Sequence, residues 1–207
     1  MFGNTVCILE KNLSRENLIT VGTGFLINCN SDNTYVITTK HMITKENPGY
    51  INISLATDDE QQLVYKIPLK NDNENNLTNH ETSDICSIRI DKNIVPIIEK
   101  HKKTQVILDE KILCNKWEYG EIIDSYSIGF SAGSLNPIIR QGPTFIPFIK
   151  KEPEWIASMM DFPGDSGSPV YETKNNTIIG MRSAKDGTKG IAWIVPAYRI
   201  KEVLKQP

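Results

Sequence analysis

What most constrains the fold is a succession of short β-branched or alternating runs, each closed off by turn-forming residues. Val6-Cys7-Ile8-Leu9, Gly24-Phe25-Leu26-Ile27, Tyr35-Val36-Ile37-Thr38, Ile51 to Leu55, Leu63 to Ile67 and Ile85 to Ile90 fill the first half. Glu121 to Ile128, Ile138 to Arg140, Thr144 to Ile146, Trp155 to Ser158, Pro169 to Tyr171, Thr177 to Met181 and Gly190 to Val195 fill the second. Clusters such as Asn28-Cys29-Asn30-Ser31-Asp32-Asn33 separate them, so each run reads as a strand bounded by turns. Many short strands at this spacing predict an all-β sandwich or barrel, and barrels solve the exposed-edge problem. One terminal helix is expected, Ala197 to Lys205, opened by Pro196 and carrying Ile200, Val203 and Leu204 at helical spacing.

Two stretches break the strand pattern. Asn71 to Thr82 reads as a polar surface loop. The segment from about Val95 to Leu113, with Pro96 and the basic Lys100-His101-Lys102-Lys103, reads as a connector between two β lobes with a solvated face.

Composition narrows the function. The 23 basic and 25 acidic residues leave a formal net charge of -2, against the basic surplus that non-specific nucleic-acid binding needs. No apolar run nears the roughly 20 residues that span a bilayer, and Met1 to Val6 lacks the charged start and apolar block of a signal peptide. An intracellular protein without nucleic-acid or membrane partners is expected, secretion requiring a leader removed beforehand. The sequons at Asn12, Asn52, Asn76 and Asn175 would then be incidental. Cys7, Cys29, Cys86 and Cys114 form no Cys-x-x-Cys pair and only three His accompany them, so reduced thiols in packed strands are expected, with no metal and no cofactor.

Chemistry concentrates in Pro163-Gly164-Asp165-Ser166-Gly167-Ser168-Pro169. An acyl-transfer nucleophile needs its hydroxyl on a tight turn, beside backbone N–H groups aimed at the developing oxyanion. Gly164 and Ser166 can supply those N–H groups, Ser166 the hydroxyl, and Gly167 a close backbone approach. His41, just past the strand ending Thr38-Thr39, is a candidate general base. Asp84, directly ahead of Ile85-Cys86-Ser87-Ile88, is a candidate for holding its tautomer. The chain order His, Asp, Ser excludes the subtilisin and α/β-hydrolase arrangements, and Ser168 occupies the place where a G-x-S-x-G elbow requires Gly.

At these residues the chain resembles the chymotrypsin/trypsin-like serine proteases, nearest to the Deg/HtrA protease domain and the glutamyl endopeptidases. The resemblance runs from Gly22-Thr23-Gly24-Phe25-Leu26-Ile27 through the Ser166 loop to the final helix. It implies two six-stranded antiparallel β-barrels and a short C-terminal helix. The N-terminal barrel (1–97) would carry His41 and Asp84, a linker (98–112) would follow, and the C-terminal barrel (113–207) would carry Ser166. It implies His41 as base, Asp84 as orienting acid, Ser166 as nucleophile, and the N–H groups of Gly164 and Ser166 as oxyanion hole. Ser183-Ala184-Lys185 would be the edge that pairs with an extended protein or peptide substrate.

Several positions depart from that pattern. No Ile-Val-Gly-Gly new N-terminus precedes Val6, so Asp165 either needs another partner, for which Arg140 and Arg182 are the candidates, or sits in solvent. Met42 and Phe162 stand where animal proteases carry cysteines, consistent with a reducing compartment. The chain ends after one helix, so a following PDZ-like module is not expected. The primary pocket should involve Met160, Asp161, Arg182 and Gly190. There Arg182 could select acidic side chains through a charge-assisted fork, Asp161 could favour basic ones, or the two could neutralise each other in a buried pair. Three functions fit: a serine endopeptidase working through an acyl-enzyme, a catalytically silent module that binds extended peptides, and a processing protease with one precursor.

Overall fold

The computed structural model describes residues 5–11, 18–29, 33–44, 49–56, 62–71, 74–100, 107–114, 117–131, 134, 136–147, 154–183 and 191–205. In the first half, β1 (Thr5–Lys11), β2 (Leu18–Cys29), β3 (Asn33–Thr38), β4 (Tyr50–Ala56), β5 (Gln62–Pro68), β8 (Leu77–Asn79) and β9 (Cys86–Ile90) form one sheet. Its order is β5-β4-β1-β2-β3-β9-β8. Between β5 and β8, β6 (Lys70–Asn71) and β7 (Glu74–Asn75) make a separate two-stranded ribbon. A single helical turn, α1 (His41–Thr44), follows β3.

The connector is partly helical. After α2 (Val95–Lys100), β10 (Leu108–Asp109) joins β2 in parallel at Ile27 and Asn28, and a 3-10 turn follows over Glu110–Ile112. The second half is a closed barrel, β11 (Ile122–Gly129), β12 (Ile138–Phe145), β13 (Trp155–Ala157), β16 (Ala192–Pro196), β15 (Ile178–Ser183) and β14 (Pro169–Glu172) in that order. It leads into α3 (Ala197–Lys205), where the sequence places the terminal helix.

Two closed six-stranded barrels were expected, and one is present. Among the described residues the first sheet has eight strands and its ordered path does not return on itself. The added strands have local causes. β2 is long enough to pair with β1 over Leu18 to Phe25 and with β3 over Phe25 to Cys29, which leaves an edge for β10. The stretch expected as a polar loop, Asn71 to Thr82, supplies β7 and β8 because its polar side chains serve backbone groups. Asn76 is buried, its Nδ2 donating to the Pro68 carbonyl at 3.2 Å, and its own carbonyl accepts from Arg89 N at 2.9 Å.

The period-2 alternation of strand side chains builds three cores. Leu26 and Val36 face the interior of the first lobe with Val6, Ile53 and Ile88. Their neighbours Phe25, Ile27 and Ile37 point the other way, onto Ile128, Ile178, Met181 and Val195 of the second lobe and onto Ile200, Val203 and Leu204 of α3. Ile179, Val170, Trp155 and Ile194 fill the second barrel. The middle cluster docks the two lobes face to face, and the site lies along that seam.

Candidate active site

Strand pairing brings His41 and Asp84 together. β3 and β9 are antiparallel with Thr38 opposite Cys86, so the residues after β3 meet those before β9. The His41 amide donates to Asp84 Oδ1 at 3.0 Å, and His41 Nδ1 lies 2.6 Å from Asp84 Oδ2. Ser183 Oγ, at the end of β15, donates to the same Oδ2 at 2.8 Å. Burial by itself lifts the Asp84 carboxyl, but the hydrogen bond and charge of His41, with the Ser183 hydroxyl and the His41 amide, outweigh it and hold the group below its usual range. An ionised Asp84 accepting from Nδ1–H leaves Nε2 with its lone pair free. The imidazole side chain is 33% exposed, enough for that nitrogen to reach a reactant.

In the loop after Phe162, two backbone amides have no partner among the described residues. Asp165 N donates to Phe162 O, Gly167 N to Arg182 O and Ser168 N to Asp165 O. Among the described residues, the amides of Gly164 and Ser166 have no acceptor. Gly164 and Gly167 adopt φ of 95° and 88°, conformations open to glycine at little cost. A Cβ on Gly167 would run into the Thr23 carbonyl oxygen. The Ser166 hydroxyl makes no hydrogen bond to His41 among the described residues.

Thr23, in the middle of β2 and fully buried, ties this loop to the first lobe. Its amide donates to Ser166 O at 2.8 Å, its hydroxyl donates to Gly164 O at 2.8 Å and accepts from Phe130 N at 2.8 Å, and its carbonyl accepts from Thr38 Oγ1 at 2.7 Å. From the second lobe, Arg182 and Ser183 do the same. The Arg182 backbone bonds Gly167 and Ser168 while Ser183 holds Asp84. One strand end thus touches both the Ser166 loop and the acid behind His41.

The counter-charge of Asp165 is internal. Asp165 is buried, and its Oδ2 receives Arg140 Nε at 3.2 Å, Phe162 N at 3.2 Å and Arg182 Nη1 at 3.3 Å. Arg182 is 1% exposed. Its Nη2 donates to Asp161 Oδ1 at 2.7 Å and Met160 O at 2.8 Å, and its Nη1 to Ser127 Oγ at 3.2 Å. Burial, helped by the nearby charge of Asp165, holds the Asp161 carboxyl above its usual range, Arg182 and Arg140 opposing the rise only in part. Of the alternatives left open at Asp161 and Arg182, this geometry is the buried pair. Arg140 also stacks over Phe162, 4.3 Å from the ring centre.

The other residues expected to contact substrate are described only in part. Met160 is 62% exposed, Ser183 is buried with its hydroxyl on Asp84, and Ala184, Lys185 and Gly190 lie outside the described residues. The sequence reading missed Thr23, whose only local signal is its place between Gly22 and Gly24, and the Ser183 bond to Asp84, which has no local signal. Among the described residues no three His, Cys, Asp or Glu groups assemble into a metal site. No helix there is long and apolar enough to cross a membrane.

No family model and no curated protein sequence matches this chain. Solved structures do. The apo MamO protease domain from Magnetospirillum magneticum superposes with a TM-score of 0.63 at 16% identity, over 99% of this chain and 97% of that one. A serine endoprotease from Yersinia pestis gives 0.62 at 16% identity over 99% of this chain, which spans 62% of the endoprotease. Catalytically active tobacco etch virus protease complexed with product gives 0.59 at 16% identity, over 95% and 73%. At such low identity the likeness is one of fold, and that fold is the chymotrypsin-like fold of the trypsin-like (PA-clan) proteases.

Proposed function

We propose that the chain is a serine endopeptidase that hydrolyses peptide bonds through an acyl-enzyme. The observation that carries this reading is the coincidence of two amides without an acceptor among the described residues, Gly164 and Ser166, on the turn that bears the Ser166 hydroxyl, with a His41–Asp84–Ser183 relay anchored on the adjoining strand end. In this scheme Ser166 Oγ attacks the scissile carbonyl and its proton passes to His41 Nε2. The oxyanion takes hydrogen bonds from the amides of Gly164 and Ser166, and Asp84 stabilises the imidazolium. Collapse expels the amine, protonated by His41, and leaves the acyl group on Ser166. Water, deprotonated by His41, then releases the acid and restores the serine. The lobe carrying His41 and Asp84 would be residues 1–97 and the lobe carrying Ser166 residues 113–207. The edge at Ser183, Ala184 and Lys185 would pair with an extended protein or peptide substrate.

A second reading, a silent protease-fold module that holds extended peptides, is favoured by one observation: the Ser166 hydroxyl lacks a hydrogen bond to the imidazole. Catalytic hydrogen bonds often form only once substrate is bound, so the two readings divide on reactivity. Intact-mass spectrometry after treatment with a fluorophosphonate should show one adduct, absent from Ser166→Ala. A folded protein that takes up no adduct would refute the endopeptidase and leave the binding module.

A further inference from the structure

His80 occupies the start of the loop that ends in Asp84, and its ring organises that loop. Nδ1 accepts two backbone amides, Thr82 N at 3.2 Å and Ser83 N at 3.0 Å. The main chain closes around it, His80 N donating to Ile85 O and Ile85 N to Ser83 O. An acceptor at Nδ1 places the ring proton on Nε2, which lies 2.6 Å from Glu202 Oε2 on α3. Glu202 is steadied in turn by Arg199 Nη1 at 2.9 Å. Burial alone would lift its carboxyl, but the bonds to His80 and Arg199 hold it below the usual range. The same helix takes a second hold one residue on, where Ser87 Oγ of β9 donates to Val203 O at 3.2 Å. On the other side, Lys40 Nζ donates to the His80 carbonyl at 3.0 Å, and Lys40 directly precedes His41. His80 therefore links the residue before the candidate base, the loop of the candidate acid, and the last helix of the chain. It is 6% exposed, whereas a loop histidine with no such task would face solvent.

We infer that His80 and Glu202 are positioning residues: the C-terminal helix latches the Asp84 loop from behind and so sets the geometry of the His41–Asp84 hydrogen bond. The inference rests on the reading of Asp84 as orienting acid, but its consequences for geometry can be measured without turnover. Glu202→Ala removes the helix end of the latch. Glu202→Gln keeps an oxygen able to accept from Nε2–H. His80→Asn keeps an acceptor near the Nδ1 position for the loop amides but is too short to reach Glu202.

Two readouts on the folded protein, hydrogen exchange at the Thr82 and Ser83 amides and the NMR signal of the His41 Nδ1 proton, judge the latch whether or not Ser166 reacts. Glu202→Ala should speed exchange at both amides and shift or broaden the Nδ1 proton, and His80→Asn should disturb the proton with less effect on exchange. The rate of fluorophosphonate labelling, and kcat on a cleavable peptide, should fall about 10- to 100-fold with KM little changed, as expected for a misplaced base. Glu202→Gln should lose about twofold, since it retains the acceptor. A lowered melting temperature in Glu202→Ala with unchanged exchange, Nδ1 proton and labelling rate would overturn the inference. A parent protein that does not label would refute the endopeptidase while leaving the first two readouts to decide on the latch.

Discussion

The charge quartet of Asp161, Asp165, Arg140 and Arg182, buried at Asp165 and Arg182, makes a quantitative claim about the Ser166 loop. Arg182→Met keeps much of the side-chain volume and removes one of the two cations. Asp165 retains Arg140 Nε at 3.2 Å, but Asp161 loses its 2.7 Å partner, and the Met160 carbonyl loses a donor. Removing one member of a buried charge pair costs about 3–5 kcal/mol, because the other charge stays buried without compensation. For a chain of 207 residues, about 2–4 °C per kcal/mol makes this a loss of roughly 6–20 °C. Arg140→Met should cost less, about 1.5–3 kcal/mol for a charged hydrogen bond, since Asp165 keeps Arg182 at 3.3 Å and the Arg140 side chain is already 17% exposed. Urea unfolding at neutral pH measures both. If an orphaned carboxylate causes the loss, Arg182→Met with Asp161→Asn should recover part of it, and the double-mutant cycle gives the coupling. Arg182→Met within about 1 kcal/mol of the parent, or less costly than Arg140→Met, would refute the assignment of Arg182 as the counter-charge of this loop.

Two further outcomes follow from the same geometry. Both Nη atoms of Arg182 are already engaged within the protein and the side chain is 1% exposed, so peptides with Glu and with Gln at the scissile position should be cut at comparable rates. A Glu preference beyond about 100-fold in a matched peptide pair would show that the fork reaches substrate, a discrimination that charge-assisted bonds alone can give. Asp84 is held below its unfolded value of about 3.9, so the native state binds fewer protons there. The stability it contributes is complete above about pH 4 and is lost as pH falls through the folded value. Asp84→Asn should flatten this acid limb in urea unfolding between about pH 5 and pH 2, and an unchanged slope would show that Asp84 is not the group responsible.

The sequence disclosed what depends on near neighbours. The run Tyr35 to Thr38 leading to His41, the turn from Pro163 to Pro169 and the helix from Ala197 were legible because periodicity and turn chemistry act over a few residues. A cation for Asp165 was legible only as one of two readings, because its burial, which makes a partner necessary, has no local signal. Polar residues recruited across the chain were not. His80 and Glu202 are 122 positions apart, and Asp84 and Ser183 are 99 apart, so nothing near His80 distinguishes it from a solvated loop histidine. The Asn-rich stretch before it misled for a different reason, since Asn76 turns its side chain to the Pro68 carbonyl eight residues back instead of to water. Nor did periodicity reveal how far β2 extends, because Gly22 and Gly24 weaken the strand signal although pairing with β1 runs from Leu18 to Phe25 with a register shift between Thr20 and Gly22.

Thr23 also carries a consequence for timing. The carbonyls of Gly164 and Ser166 belong to the half of the chain synthesised second, yet they are capped by a residue of the half that emerges first. A second half folded by itself would leave those two oxygens to water and its Ser166 turn without a template. Whatever reactivity Ser166 has would therefore depend on the seam between the lobes being closed.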